Sequence, residues 1–142
     1  MFSQRIKEVM QSEQLLTASP DTTVRQAAGQ MSARGLSAVV VVDDNRLLGI
    51  FTERDAVLRV IAADRDPSTT TLAQVMTEQP VTVEPSKTFG YALALMHEKG
   101  IRHVPVVDNG RPVGIVSARD ALDPELEEFV CEERRRQQYE AG

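Results

Sequence analysis

The chain repeats itself. Shifted by 65 positions without a gap, residues 15–57 fall on residues 80–122 with 16 identities in 43. Such self-similarity at a fixed offset marks a duplicated structural unit and restricts the fold to two copies of one small arrangement. Pro20 lies over Pro85, Met31 over Met96, and Gly35 over Gly100. Val39, Val41, Val42 and Asp43 lie over Val104, Val106, Val107 and Asp108, and Gly49-Ile50 over Gly114-Ile115. A unit of about 50 residues is too small to be comfortably stable alone. The halves are therefore expected to pack on each other about a pseudo-two-fold axis.

Each unit has the same local grammar. Val24, Ala27, Ala28 and Met31 recur at helical spacing after Pro20, and Phe89, Ala92, Leu93 and Met96 after Pro85. Gly35 and Gly100 stand where a helix end takes a left-handed residue. The β-branched runs Val39–Val42 and Val104–Val107 read as buried strands. Asp43-Asp44-Asn45 and Asp108-Asn109-Gly110 are turn chemistry, so Leu47–Thr52 and Pro112–Ser117 are expected as the second strands of hairpins. A helix then starts at Glu53 and at Ala118, and Leu15–Ala18 and Pro80–Glu84 read as short leading strands. The predicted fold class is α/β (α+β), with the order β-α-β-β-α given twice.

The predicted organisation is one module: residues 1–64 as N-terminal flank and first repeat, 65–74 as a polar connector, 75–122 as second repeat, and 123–142 as a C-terminal helix or tail. Gln4–Ser12 reads as a short amphipathic helix. Pro124 is expected to interrupt the last unit, with a helix restarting over Glu125–Tyr139 and Arg134-Arg135-Arg136 as its solvated basic end.

Composition narrows the function. The net charge is −5, of which the segment from Asp123 onward carries −4, leaving a nearly neutral body. Aromatic residues make up 4%, with no basic stripe, which argues against nucleic acid as a partner. No apolar run approaches the roughly 18 residues of a membrane span, and the N-terminus lacks the pattern of a secretory signal. The single cysteine, Cys131, forms no internal disulfide and has no local base, so a cytoplasmic protein without thiol chemistry is expected. There is no Walker-type loop, no zinc spacing and no nucleophile–base pair, so an enzyme is not expected. Nor is a bound metal or a required cofactor. His97 reads as exposed, His103 as a core or rim residue, and Met31, Met76 and Met96 as core fillers.

The most informative constellation is Gly49-x-x-Thr52-x-x-Asp55, with its copy Gly114-x-x-Ser117-x-x-Asp120. Both lie at a strand-to-helix junction, where unpaired N–H groups favour an anion. The hydroxyl of Thr52 or Ser117 can donate to a phosphate, the carboxylate one turn on can accept from ribose hydroxyls, and Arg54 or Arg119 can neutralise charge. A hydroxyl followed three residues later by an acid is also a helix cap. The fixed glycine and the repetition tilt the pattern toward a ligand site.

These motifs, with Val75-Met76-Thr77-x-x-x-Val81-Thr82-Val83-x-Pro85 and Arg102-His103-Val104-Pro105-Val106-Val107-Asp108, carry a family resemblance. Over about residues 5–122 the chain resembles a tandem pair of CBS domains (named for cystathionine β-synthase), the Bateman-type regulatory module. The resemblance implies a cleft with two quasi-equivalent sites for an adenosine-containing ligand: AMP, ADP, ATP, NAD or S-adenosylmethionine. It implies that Asp55 and Asp120 bind ribose and that Thr52 and Ser117 contact ribose or phosphate. Thr17, Val81 and Thr82 on the leading strands would supply backbone contacts to adenine, and Arg102, His103, Val104 and Pro105 would face the cleft. The segment of the first unit that matches them starts at Ser37 and lacks the basic pair and the proline, which makes the sites inequivalent. Arg54 and Arg119 favour a ligand with phosphate. The expected function is a stand-alone, homodimeric sensor that signals to a separate effector protein. A structural interaction protein without a ligand is the alternative.

Overall fold

A computed structural model describes residues 2–10 and 15–141, with the side chains of residues 121–127 and 141 outside the description. The chain runs α1 (Ile6–Val9), β1 (Thr17–Ala18), α2 (Val24–Arg34), β2 (Ala38–Asp43), β3 (Arg46–Thr52), α3 (Glu53–Asp55), a π-helix (Ala56–Ile61), α4 (Leu72–Val75), β4 (Thr77–Glu78), α5 (Phe89–Lys99), β5 (His103–Asp108), β6 (Arg111–Ser117) and α6 (Ala118–Ala141). It is the mixed α/β arrangement, given twice, that the repeat predicts.

Local chemistry explains the shared elements. Thr23 and Thr88 cap α2 and α5 by accepting from the N–H groups of Gln26 and Tyr91, and Gly35 and Gly100 close those helices at φ 63° and 65°. Each hairpin turns on two residues of positive φ, Asp44-Asn45 (50°, 61°) and Asn109-Gly110 (53°, 78°), the geometry that matches strand twist. The hairpins even share their irregularity, a bulge between Val41 and Val42 and another between Val106 and Val107.

One sheet has the order β1-β2-β3-β4, the other β5-β6. β1 runs parallel to β2, with Thr17 beside Val40. Its expected counterpart at Pro80–Glu84 is not a strand. Only Val83 pairs, its N–H donating to the Pro105 carbonyl while its own carbonyl accepts from Val107. Pro80 has no N–H to give a ladder and Pro85 bounds the other end. β4, antiparallel to β3 at Gly49 and Ile50, lies where no strand was expected.

Two further expectations change. Pro124 does not interrupt the last unit: α6 runs unbroken from Ala118 to Ala141. The proline leaves the Asp120 carbonyl without its helical donor, and the strong helix formers on both sides carry the helix through. Of the Gln4–Ser12 helix, Ile6–Val9 is helical and residues 11–12 lie outside the described residues. Arg134, Arg135 and Arg136 are exposed, as expected, as is His97.

Two cores form, and each is finished by the other half's flanking helix. The first contains Val24, Met31, Val39, Val41, Phe51 and Val60 and is completed by Leu72 and Val75 of α4. The second contains Phe89, Met96, Val104, Val106 and Val116 and is completed by Ile6 of α1. The backbone repeats the exchange. Leu72 and Ala73 donate to the carbonyls of Thr22 and Pro20, and Ile6 and Lys7 donate to those of Lys87 and Pro85. The Arg5 guanidinium adds a bond to the Ser86 carbonyl. Next in each segment a methionine lies over the repeated glycine of the hairpin, Met76 over Gly49 and Met10 over Gly114.

Candidate functional site

The two Gly-x-x-Thr/Ser-x-x-Asp motifs occupy equivalent places. Thr52 and Ser117 end β3 and β6, directly opposite Ala38 and His103 in their hairpins. The main chain then turns into a helix whose first free N–H groups are tied back, Glu53 to the Ser37 carbonyl and Ala118 to that of Arg102. In both motifs the carboxylate three residues on accepts from the N–H of the hydroxyl residue, at 3.0 Å for Asp55 and for Asp120, while the hydroxyl accepts from the aspartate N–H. The capping arrangement allowed by the sequence is therefore present at both sites.

Beyond that shared frame the sites differ. Asp120 is half-buried and borders a small cavity of about 40 Å³ lined by Leu36, Ser37, Ala38, His103, Ile115 and Ser117. Both halves contribute to it. Ser37 Oγ lies 2.8 Å from His103 Nε2, a hydrogen bond between residues 66 apart in sequence. Burial holds the His103 imidazole below its ordinary pKa; Glu53 and Asp120 oppose that shift and Arg102 adds to it. His103 is thus neutral near pH 7, one ring nitrogen bonded to Ser37.

Asp55 is buried and fully engaged. Its Oδ2 also accepts from the Thr52 hydroxyl at 3.3 Å, and its Oδ1 takes the Thr77 hydroxyl at 3.4 Å and the Arg59 Nε at 3.5 Å. Arg59 continues past the carboxylate and donates from Nη1 to the Met76 carbonyl at 2.8 Å and to that of Val75 at 3.4 Å. Neither Arg59 nor Thr77 was among the residues expected from sequence. Arg59 left a signal, since it follows Asp55 at the spacing of a helical ion pair.

The other expected site residues differ in exposure. Arg54, Arg102 and Arg119 are exposed at the helix starts and the β5 entry; Val104 and Pro105 are buried in β5. Thr17 is exposed on β1 and Val81 half-buried. Thr82 lines an open groove of about 820 Å³ that also takes in Lys7, Lys87, Tyr91 and Asp108. Among the described residues no three His, Cys, Asp or Glu side chains converge as a metal site, and no helix is long and apolar enough to cross a membrane.

Comparison with known proteins places this geometry. The CBS domain family model matches twice, over residues 6–62 and 72–125. The CBS domain-containing protein YhcV of Bacillus subtilis is 36% identical over 115 residues, covering 81% of each chain. A solved structure from Burkholderia ambifaria, a protein with CBS domains described as a candidate for signal transduction, superposes with a TM-score of 0.74 at 33% identity, over 80% of this chain and 83% of that one. The CBS domain pair of protein MJ0100, solved in complex with 5′-methylthioadenosine and S-adenosyl-L-methionine, gives a TM-score of 0.75 at 25% identity, over 83% of this chain and 96% of that one. Two matched repeats, two sheets with their hydroxyl–carboxylate motifs, and relatives of the same construction lead to one conclusion: the chain belongs to the CBS domain family, as a tandem pair of the regulatory type.

Proposed function

We propose that this CBS pair senses an adenosine-containing ligand at Asp120 and passes the signal to an effector protein. The observation that carries the reading is the convergence of Ser37 from one half with His103, Ser117 and Asp120 from the other around a single cavity. Asp120 would accept from ribose hydroxyls, Ser117 would donate to ribose or phosphate, and Arg119 would balance phosphate charge. The complex of MJ0100 with two adenosyl compounds supports the ligand class.

The cavity itself supplies the mechanism. About 40 Å³ holds little more than a water molecule, whereas pockets for ligands of this size run to roughly 300 Å³ or more. In this reading, a ligand seated in the cavity parts the halves and breaks the Ser37–His103 bond. The free and bound states then differ in the relative orientation of the repeats, by no more than the ligand's differential affinity for them. Val57, Leu58 and Ile61, exposed on the π-helix, offer an apolar face for a second copy, and a homodimer in the cytoplasm is part of the proposal.

The test is a thermal melt of the purified protein with AMP, ADP, ATP, NAD and S-adenosylmethionine. A ligand at a hundred times its Kd stabilises by about 2.7 kcal/mol, a rise of several degrees that Asp120→Ala should remove. The small size of the cavity favours a second reading, an interaction protein that binds no ligand. No shift with any of the five compounds would establish that reading instead.

A further inference from the structure

Resting on the proposed ligand class, we infer that Arg59 is an internal latch that closes the Asp55 site, so that each chain presents one working site, at Asp120. The two sites share their hydroxyl, carboxylate, cap and strand–helix junction, and differ in what occupies the carboxylate. At Asp55 the guanidinium takes Oδ1, beside the Thr77 hydroxyl, while Oδ2 is held by Thr52. A ribose diol needs those same acceptor positions: a carboxylate offers about four lone-pair sites, and at Asp55 the Thr52 N–H, the Thr52 hydroxyl, the Thr77 hydroxyl and Arg59 already take them.

The latch is anchored at both ends. Its Nη1 bonds to the carbonyls of Met76 and Val75, tying the helix that carries Asp55 to the α4–β4 junction. To admit a ligand there, the chain must break the ion pair and leave those carbonyls without their donor. The second repeat cannot make this contact. At the offset of the duplication, the position equivalent to Arg59 is Pro124, which carries no charge and no N–H. Among the described residues Asp120 accepts only from Ser117. The sequence departure at Ser37 does not separate the sites in this way, because Ser37 lines the Asp120 cavity itself.

Titration calorimetry with AMP, and with S-adenosylmethionine as a second probe, counts the sites. One equivalent per chain is expected for the wild type, retained in Asp55→Asn, lost in Asp120→Asn, and raised to two in Arg59→Met. Two equivalents in the wild type, or one in Arg59→Met, would overturn the latch. A second measurement needs no ligand. The melting-temperature losses of Asp55→Asn and Arg59→Met should sum to more than the loss of the double variant, since the two residues act as a pair; additive losses would overturn the latch as well. If neither probe binds any variant, the adenosyl reading fails, and this cycle alone decides whether Arg59 holds Asp55.

Discussion

Ser37 and His103, 66 residues apart, meet at 2.8 Å where the two repeats face each other. Ser37 immediately precedes β2 and His103 opens β5, and the bond joins the halves beside Asp120. The imidazole at this seam is kept neutral by burial, against the pull of Glu53 and Asp120.

Stability should consequently depend on pH through His103. With a folded pKa below the ordinary 6.5, the native state binds its proton later than the unfolded chain. Its contribution is full above the unfolded pKa, and is lost as pH falls from there through the lowered folded value. Melting temperatures recorded between about pH 7.5 and 5 should decline toward acid, and His103→Gln should flatten that decline. An unchanged slope in the variant would show that other groups set it.

The paired glycines should respond unequally to alanine. A Cβ on Gly49 would stand 2.6 Å from Met76 Sδ and 2.7 Å from the Thr77 carbonyl oxygen, a fixed backbone atom of β4. A Cβ on Gly114 would meet only the flexible Met10 side chain, at 2.8 Å from Sδ. Gly49→Ala is expected to cost about 1–3 kcal/mol by overpacking, and Gly114→Ala clearly less. Chemical denaturation of both variants measures the difference.

Truncation of either exchanged helix should damage the core of the opposite repeat. Ile6 and Leu72 are both fully buried, and their replacement by alanine should cost about 2–5 kcal/mol each. Hydrogen exchange would place the loosening from Ile6→Ala in β5 and α5, and that from Leu72→Ala in β2 and α2. Loosening confined to the mutated segment would contradict the packing described above.

Charges on the π-helix should abolish dimerisation if that face pairs with a second copy. Leu58 and Ile61 are 54% and 69% exposed, so Leu58→Glu with Ile61→Glu should leave the monomer's fold intact. Light scattering is expected to give a dimer for the wild type and a monomer for the double variant. Equal masses for both proteins would remove this face from the proposal.

Most of the repeat's geometry was legible in the residues. Gly35, Gly100, Asn45 and Gly110 sit at the left-handed positions their types suit, and the valine runs are the central strands. What escaped depends on long-range pairing. β4 is two residues, Thr77 and Glu78, recruited by the edge of β3 and without any alternation of its own. Val83 pairs alone because prolines bound its segment. Nothing in the local spacing of Ile6 or of Leu72 and Val75 says which core each enters. At the site, the aspartates and their hydroxyls were evident from repetition, while Arg59 was hidden because it breaks the repetition, standing where the other half has Pro124.

The crossed flanking helices also decide what can be taken apart. A fragment ending near residue 62 would keep α1, which belongs to the missing half, and would lack Leu72 and Val75, which close its own core. Each half is thus a lid donor to the other, an arrangement that two separate chains could achieve only by meeting. The peptide connection turns that meeting into a unimolecular event at an effective concentration on the order of millimolar, so the two repeats, although they look like independent copies, are expected to fold as tenants of a single transition.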